Sequence, residues 1–569
     1  MKNKFRCLLA ISTCLFWLCF ANTVIPGFII FSVFGLGAGI LIAKCKPLSE
    51  LNWPGKGVAI SMWLLSGAFS AIVCFCTMRF FMNTWSNSPA LLNMISRLHL
   101  EPNVGLTAVA LLMGLGIFPS VFDVIYRALY HAWNLLTKIH WAALWHYTAQ
   151  TVSLRSSCKN ALLITVSLLL CACIGIGLLT AVYCIPTDSI EKNIAQSALT
   201  IQKEGTYYPI SIWFHSQLDN WTDSIILMEA GIGGESNAFQ SAITAPHGTI
   251  KHTTSPTDSL LMHYVDGQPY TSTVEYCRYW HGYLIFIKPL LSLMDYSSIR
   301  ILNGIIQISL IIAICCLMYR KGLRDYVLPF ILMYLMLMPA ALAYSIQFST
   351  CFYVIILAII GLLVIRSDKL DRFAAPVFLM IGIATAYFDF LTYPMATFGI
   401  PVLMLMVLQA SRPLEEKLFW IVKCGLFWSI GFGGMWASKW VISHIACGYP
   451  YSYIFSIVAA RTSLSGTPSL FDTEALNYVT MLHTPVSWLV LLLIGFRCFK
   501  IRKQESINPQ AVYRTVLPYI LVACAPVVWF AFAANHSFIH YWFTNKACSI
   551  TLLGILFAVT NVQTLRPKS

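Results

Sequence analysis

Runs of about 20 apolar residues, separated by short charged stretches, recur from one end of this chain to the other. A bilayer core of about 30 Å needs helices of that length, so the pattern restricts the fold to a bundle of membrane-spanning helices. Composition agrees, with 58% hydrophobic and 11% charged residues among 569. A water-soluble multidomain enzyme is thereby excluded.

Fourteen spans are expected, at 7–24, 27–43, 57–77, 104–125, 160–183, 299–318, 325–345, 350–366, 373–390, 395–411, 418–440, 483–497, 514–534 and 547–563. The basic start MKNKFR followed by an apolar run also suits a signal peptide, but the next apolar run follows at once, so an anchor helix leading into a hairpin is simpler. The 19 cysteines lie mostly inside apolar runs, where the residue acts as a small hydrophobe.

The formal charge of +14 invites a search for an acidic partner. Topology absorbs most of it. With both termini cytoplasmic, Lys44 and Lys46, Arg127, the 320–324 cluster, the 366–372 cluster, Arg412 with Lys417, the 497–503 cluster, and Arg566 with Lys568 all fall inside. Three regions then face out: 184–298, 441–482, and the turn from Asn535 to Asn545. The first is too long for a structureless connection and is expected to contain helices. Residues 1–155, with short loops and little clustered polar chemistry, read as an accessory transmembrane unit, and residues 156–569 as the functional core.

The exceptions to the charge pattern supply the candidate sites. Asp219 and Asp223 lie four apart beside Trp221, on one face if helical, a setting suited to a sugar or lipid headgroup and equally to a solvated surface helix. Asp188 is a rival carboxylate at the loop entrance. Arg278, Trp280, His281 and Tyr283, with Lys288 behind them, place cations on the outer side, where a phosphate would be met by charge-assisted hydrogen bonds; snorkelling toward headgroups explains them too. Lys439 and Trp440 follow the glycines 431, 433 and 434, which permit close backbone approach, and Arg461 and Asp472 sit in the next loop. Asp389 lies among apolar residues, where a charge needs a partner or a water-filled cavity. His536 and His540 share a helical face, but the carboxylate of an HExxH zinc site is missing.

A large outer loop with an acidic patch, later outer loops with basic and aromatic residues, and the phrases YWHGY (279–283) and HSFIHYWF (536–543) together resemble the glycosyltransferase superfamily C. These are integral membrane glycosyltransferases that use polyisoprenyl phosphates; the likeness is to bacterial cell-envelope members and spans about residues 155–563. The resemblance implies a GT-C-like all-α membrane fold and inverting transfer of a sugar from a polyprenyl-phosphate donor to an envelope glycan or glycolipid acceptor on the extracytoplasmic face of the cell membrane. It implies a carboxylate base, Asp223 with Asp219 in support or Asp188, and lipid-phosphate binding by Lys439, Arg278, Arg461 and Trp440. His281, Tyr283, Trp280, Asp389, His536 and His540 are the further substrate-binding candidates. A divalent cation (Mg or Mn) is compatible with such a reaction and not required by it; no nucleic acid is expected as a partner. The catalytic loop of the family commonly follows the first helix, whereas this one follows a fifth span. The competing expectation is a transporter or flippase for a lipid-linked or small polar substrate, favoured by Asp389 and the glycine-interrupted helices.

Overall fold

The computed structural model describes the chain except at residues 1, 21–34, 40–41, 43–44, 46–47, 87, 89–90, 93–94, 97–100, 138, 152–153, 213–215, 234–236, 463–468, 504–507 and 566–569. Most of the expected span at 27–43, and the charges at 44, 46, 566 and 568, lie outside the described residues.

The protein is largely helical and polytopic. Among the described residues nine helices are long and apolar enough to cross a membrane, or ten if Leu470–Leu482 and Pro485–Arg502, bent by 86°, form one broken span. Several of the fourteen expected spans are broken or short among the described residues, for a physical reason. The stretch at 325–345 breaks into Arg324–Met336 and Pro339–Tyr344 around Met338, whose φ of +62° ends the helix. Arg6–Leu18 and Met395–Leu408 are also short, and 14 residues at 1.5 Å each reach only about 21 Å.

The chain forms two compact units. The first comprises Met1–His140 with Pro468–Ala475. Its long helices Lys56–Trp85 and Pro102–Leu136 pack together, Ser12 and Ser120 hydrogen-bond at 3.1 Å, and Arg127 pairs with Asp123 one turn before it.

The second unit comprises Trp141–Thr467 and Leu476–Ser569 and contains every candidate site residue except Asp472. Two of its spanning helices, Leu370–Phe388 and Leu414–Cys447, cross at glycines. A Cβ on Gly382 would lie 2.2 Å from the Trp428 carbonyl oxygen, and one on Gly431 2.3 Å from that of Leu379. Without a hydrophobic drive between helices in lipid, such backbone-to-backbone contact is what packs them.

The long segment after the Leu154–Tyr183 helix folds into helices, as its length required. In Asp188–Glu204, Ile190, Ile194, Ala198 and Ile201 recur at helical spacing and are buried, so this helix lays one apolar face on its neighbours. Asn220–Gly231 is buried nearly throughout and forms the centre of this layer. A two-stranded antiparallel ribbon, His247–Thr249 against Ser272–Val274, and the helices Pro256–Tyr264 and Leu284–Leu291 complete it.

Candidate functional site

Asp223 is fully buried on the central helix. Its Oδ2 accepts from the Tyr296 hydroxyl, the Ser345 hydroxyl at 2.9 Å and the Ile346 N–H at 3.2 Å; Oδ1 accepts from the Gln347 N–H at 3.2 Å. Ile346 opens the helix Ile346–Val364, so this carboxylate caps a helix N-terminus from a distant point in the chain, where its charge also meets the favourable end of the dipole. Burial pushes its pKa up and these donors pull it back. Three donors crowd Oδ2 and one meets Oδ1, so this carboxylate is held by four bonds where Asp219 is held by two.

Asp219 is one turn earlier and differently held. It is the N-cap of the same helix, accepting the Thr222 N–H and hydroxyl, each at 3.1 Å, on separate oxygens, so each oxygen keeps a lone pair. Burial, opposed in part by the Thr222 bonds and reinforced by the neighbouring Asp223 charge, raises its pKa to about 7. Backbone bonds from Leu218 to Tyr208 and from Asn220 to Thr206 set Tyr207 across from it.

From Tyr207 a continuous series of contacts runs to the other clusters. Tyr207, 42% exposed, stacks on Trp221 with centroids 6.5 Å apart and rings within 4° of parallel, and meets Trp542 edge-on. Trp542 packs on His540. The Arg461 guanidinium reaches His540 Nε2 at 3.0 Å and His536 Nδ1 at 3.1 Å, joining candidates from two separate loops. His536 Nε2 donates to the carbonyl of Leu391, a residue held at φ +69°. Burial, with Arg461 adding to it, lowers the His540 pKa to about 3 and depresses that of His536 strongly, so both rings are neutral and can accept from Arg461.

Beside Leu391, the Phe390 ring contacts Tyr276, Tyr279, His281 and Tyr283. Arg278 lies 4.1 Å over the Tyr276 ring, and its buried Nε has no hydrogen-bond partner. Arg278 and Arg461 both act on the Tyr276 hydroxyl, whose pKa burial nonetheless raises to about 12. The main chain here is pinned: Trp436 and Trp440, one turn apart, both donate Nε1–H to the Arg278 carbonyl, and Trp280 donates to that of Met435.

Behind Phe390 lies a buried proton-sharing cluster. Tyr283 donates to Glu229 Oε2 at 2.6 Å, and His281 Nδ1 sits 3.1 Å from Glu229 and 2.7 Å from the Tyr283 hydroxyl. His281 Nε2 faces the Tyr276 carbonyl at 2.9 Å, so that nitrogen carries a proton. Glu229 lies 52 positions before His281, so nothing in the sequence links the two.

Tyr283 also lines an apolar groove of about 710 Å³ between spanning helices, walled by Ile346, Tyr353, Leu357, Met380, Ala384 and others. Phe286, Ile306, Leu357 and Met380 on its walls are exposed, which makes it a groove and not an enclosed void. Asn303, Ser349 and Thr350 give the wall its few polar atoms.

No protein-family model, curated protein or solved structure matches this chain.

The remaining candidates are placed as follows. Lys439 is fully buried with its ammonium 2.6 Å from the Ile243 carbonyl and over the Trp280 ring, so it pins the end of the Ala238–Thr244 helix and has no surface to offer a lipid phosphate. Lys288 does the same for the Asn220–Gly231 helix, bonding the Ala230 and Ile232 carbonyls at 2.8 Å. Asp389 caps the turn after its helix, accepting from Thr392 N–H at 2.9 Å, the Thr392 hydroxyl and the Thr350 hydroxyl. Asp188 stands exposed in the first turn of its helix. Asp472 belongs to the first unit and bonds Ser469. Among the described residues no three His, Cys, Asp or Glu side chains are grouped to hold a metal ion.

Proposed function

We propose that the protein is a membrane glycosyltransferase that moves a sugar from a polyprenyl-phosphate donor to an envelope glycan or glycolipid, on the face of a bacterial cell membrane bearing the 184–298 segment, with both termini cytoplasmic. The observation that carries this reading is the open apolar groove running through the spanning helices to Tyr283, from which Phe390 leads to Arg278 and then to Arg461. A long isoprenoid chain fits such a groove, and the two arginines reached through Tyr283, Phe390 and Tyr276 suit the phosphate attached to that chain.

In this mechanism an acceptor sugar stacks on Tyr207 and Trp221, and its hydroxyl attacks the anomeric carbon of the donor. The bond from that carbon to the phosphate oxygen breaks, configuration inverts, and the phosphate leaves with the electron pair. Asp219 takes the hydroxyl proton; a carboxylate titrating near 7 suits that task. Arg278 and Arg461 offset the charge that grows on the phosphate. Asp389, the carboxylate that would favour a transporter, is instead saturated by Thr350 and Thr392.

The test is transfer by the purified protein in nanodiscs, with and without Mg or Mn, from radiolabelled short-chain polyprenyl-phosphate sugars to lipid or oligosaccharide acceptors. Transfer that is abolished in Asp219→Asn and reduced in Arg278→Gln and Arg461→Gln supports the reading. Solute flux without a covalent product, sensitive to the same variants, overturns it.

A further inference from the structure

A second cavity lies away from the groove, among the ribbon strand His247–Thr249, the 250–254 turn and the start of the Pro256–Tyr264 helix. Its volume is about 340 Å³, at the small end of ligand pockets and suited to a single six-membered sugar ring. Its walls are Met228, Ile250 and Pro256 on the apolar side, with His247 and five hydroxyls, Thr249, Thr253, Thr254, Ser255 and Ser259, on the polar side.

Two features say what chemistry belongs there. His247 is 7% exposed and its ring lines the cavity, while its Nδ1, without a hydrogen-bond partner, is itself closed off from solvent. The hydroxyl protons are largely spent within the protein: Thr253 donates to the Ile250 carbonyl at 2.7 Å, Thr254 to Asp258 at 2.9 Å, and Thr249 pairs with Ser272 at 2.8 Å. What the wall retains is lone pairs. No charged side chain lines it, and burial lowers the His247 pKa, which keeps the ring neutral. A neutral ligand that brings several O–H donors and an apolar C–H face satisfies this wall; a phosphate, which brings acceptors and negative charge, does not.

We infer that this cavity binds a neutral monosaccharide unit, held by His247 and the Thr249, Thr253 and Thr254 oxygens. The inference deepens the transfer reading by giving the acceptor glycan a second point of attachment, and it rests on that reading only for the word acceptor. Met228 lines the cavity and is followed on the same helix by Glu229, so the sugar would sit against the central helix that Asp219 begins.

The experiment uses the full chain in nanodiscs and a panel of methyl glycosides of glucose, galactose, mannose and N-acetylglucosamine, with saturation-transfer NMR and titration calorimetry. At least one glycoside is expected to bind the wild type, and to lose tenfold or more in affinity in His247→Leu and in Thr253→Met, which fills the cavity. Thr253→Met reports on the site even where His247→Leu fails to fold. Binding of no member at millimolar concentration, binding indifferent to both variants, or competition by inorganic phosphate overturns the inference. Absence of transfer with glycoside binding intact sinks the transfer reading alone.

Discussion

His540 Nε2 accepts a hydrogen bond from the Arg461 guanidinium at 3.0 Å, although the two residues lie 79 positions apart. The bond exists only while the imidazole is neutral. With a pKa of about 3 in the folded protein against an ordinary 6.5, His540 favours the folded state fully above pH 6.5, and that contribution is lost as pH falls from 6.5 toward 3. The melting temperature of the purified protein should therefore drop between pH 7 and pH 4.5. His540→Gln, whose amide oxygen can still accept from Arg461, should flatten that slope; an unchanged slope in this variant refutes the assignment.

Asp219 behaves in the opposite sense. Its pKa is raised from 3.8 to about 7, so its protonated form is the one the fold prefers, and the stability it contributes is lost as pH rises through 7. In the proposed transfer the base is the ionised form. The transfer rate should rise with pH along a limb centred near 7, while Asp219→Asn should lose transfer and become more stable than wild type above pH 7. A rate profile flat from pH 5.5 to 8.5 in the wild type excludes Asp219 as the base.

The elements that recur at helical or bilayer length were legible in the residues themselves, because their signal is local. Contacts among loops were not. His281 and Tyr283 stood out as polar residues crowded around Arg278, but their partner Glu229 is 52 positions from His281, and no periodicity links the two. Lys439 shows the converse failure. A lysine beside Trp440 at a helix end reads as interfacial, yet the fold brings the Ile243 carbonyl to its ammonium and closes the surface over it. Asp219 and Asp223 have the same residue type and lie one turn apart, and only the fold shows that Tyr296, Ser345, Ile346 and Gln347 hold one while Thr222 alone holds the other.

That distinction is measurable. Asp223→Asn replaces an acceptor-only carboxylate by an amide whose NH₂ must face N–H and O–H donors, so the Ile346 helix end loses a partner and the charge that suited it. A destabilisation of about 2–4 kcal/mol is expected, seen as a lower melting temperature and yield. The protein that does fold should retain most of its specific activity. Loss of transfer at unchanged stability would restore Asp223 as the base.

Ala384 lies on the wall of the apolar groove. Ala384→Trp should obstruct an isoprenoid chain without touching the rim of polar groups. The KM for a polyprenyl-phosphate donor should rise about tenfold, equivalent to about 1.4 kcal/mol of lost binding, with kcat within about twofold. Lipid extracted from the purified variant should contain correspondingly less polyprenyl phosphate by mass spectrometry. Equal lipid content and equal KM would show that the groove holds only bulk lipid.

The rim depends on helices packed at a distance from it. Leu370–Phe388 leads directly into Asp389, Phe390 and Leu391, and the Leu391 carbonyl holds His536 while Phe390 contacts Tyr276, so the depth of this helix sets where both arginine clusters stand. At the crossing, a Cβ on Gly382 would meet the Trp428 oxygen at 2.2 Å and the Phe432 nitrogen at 2.7 Å, both backbone atoms with no rotamer to yield. Gly382→Val must therefore separate the helices. Overpacking of this kind costs about 1–3 kcal/mol, and the melting temperature should fall by several degrees. Because the displaced helix carries Phe390 and Leu391, transfer should fall further than the loss of folded protein explains. Gly433→Val provides the control, since no atom of a neighbouring helix lies within 4 Å of a Cβ there, and it should leave both stability and transfer close to wild type. Equal effects of the two valines would mean that the close crossing does not position the rim.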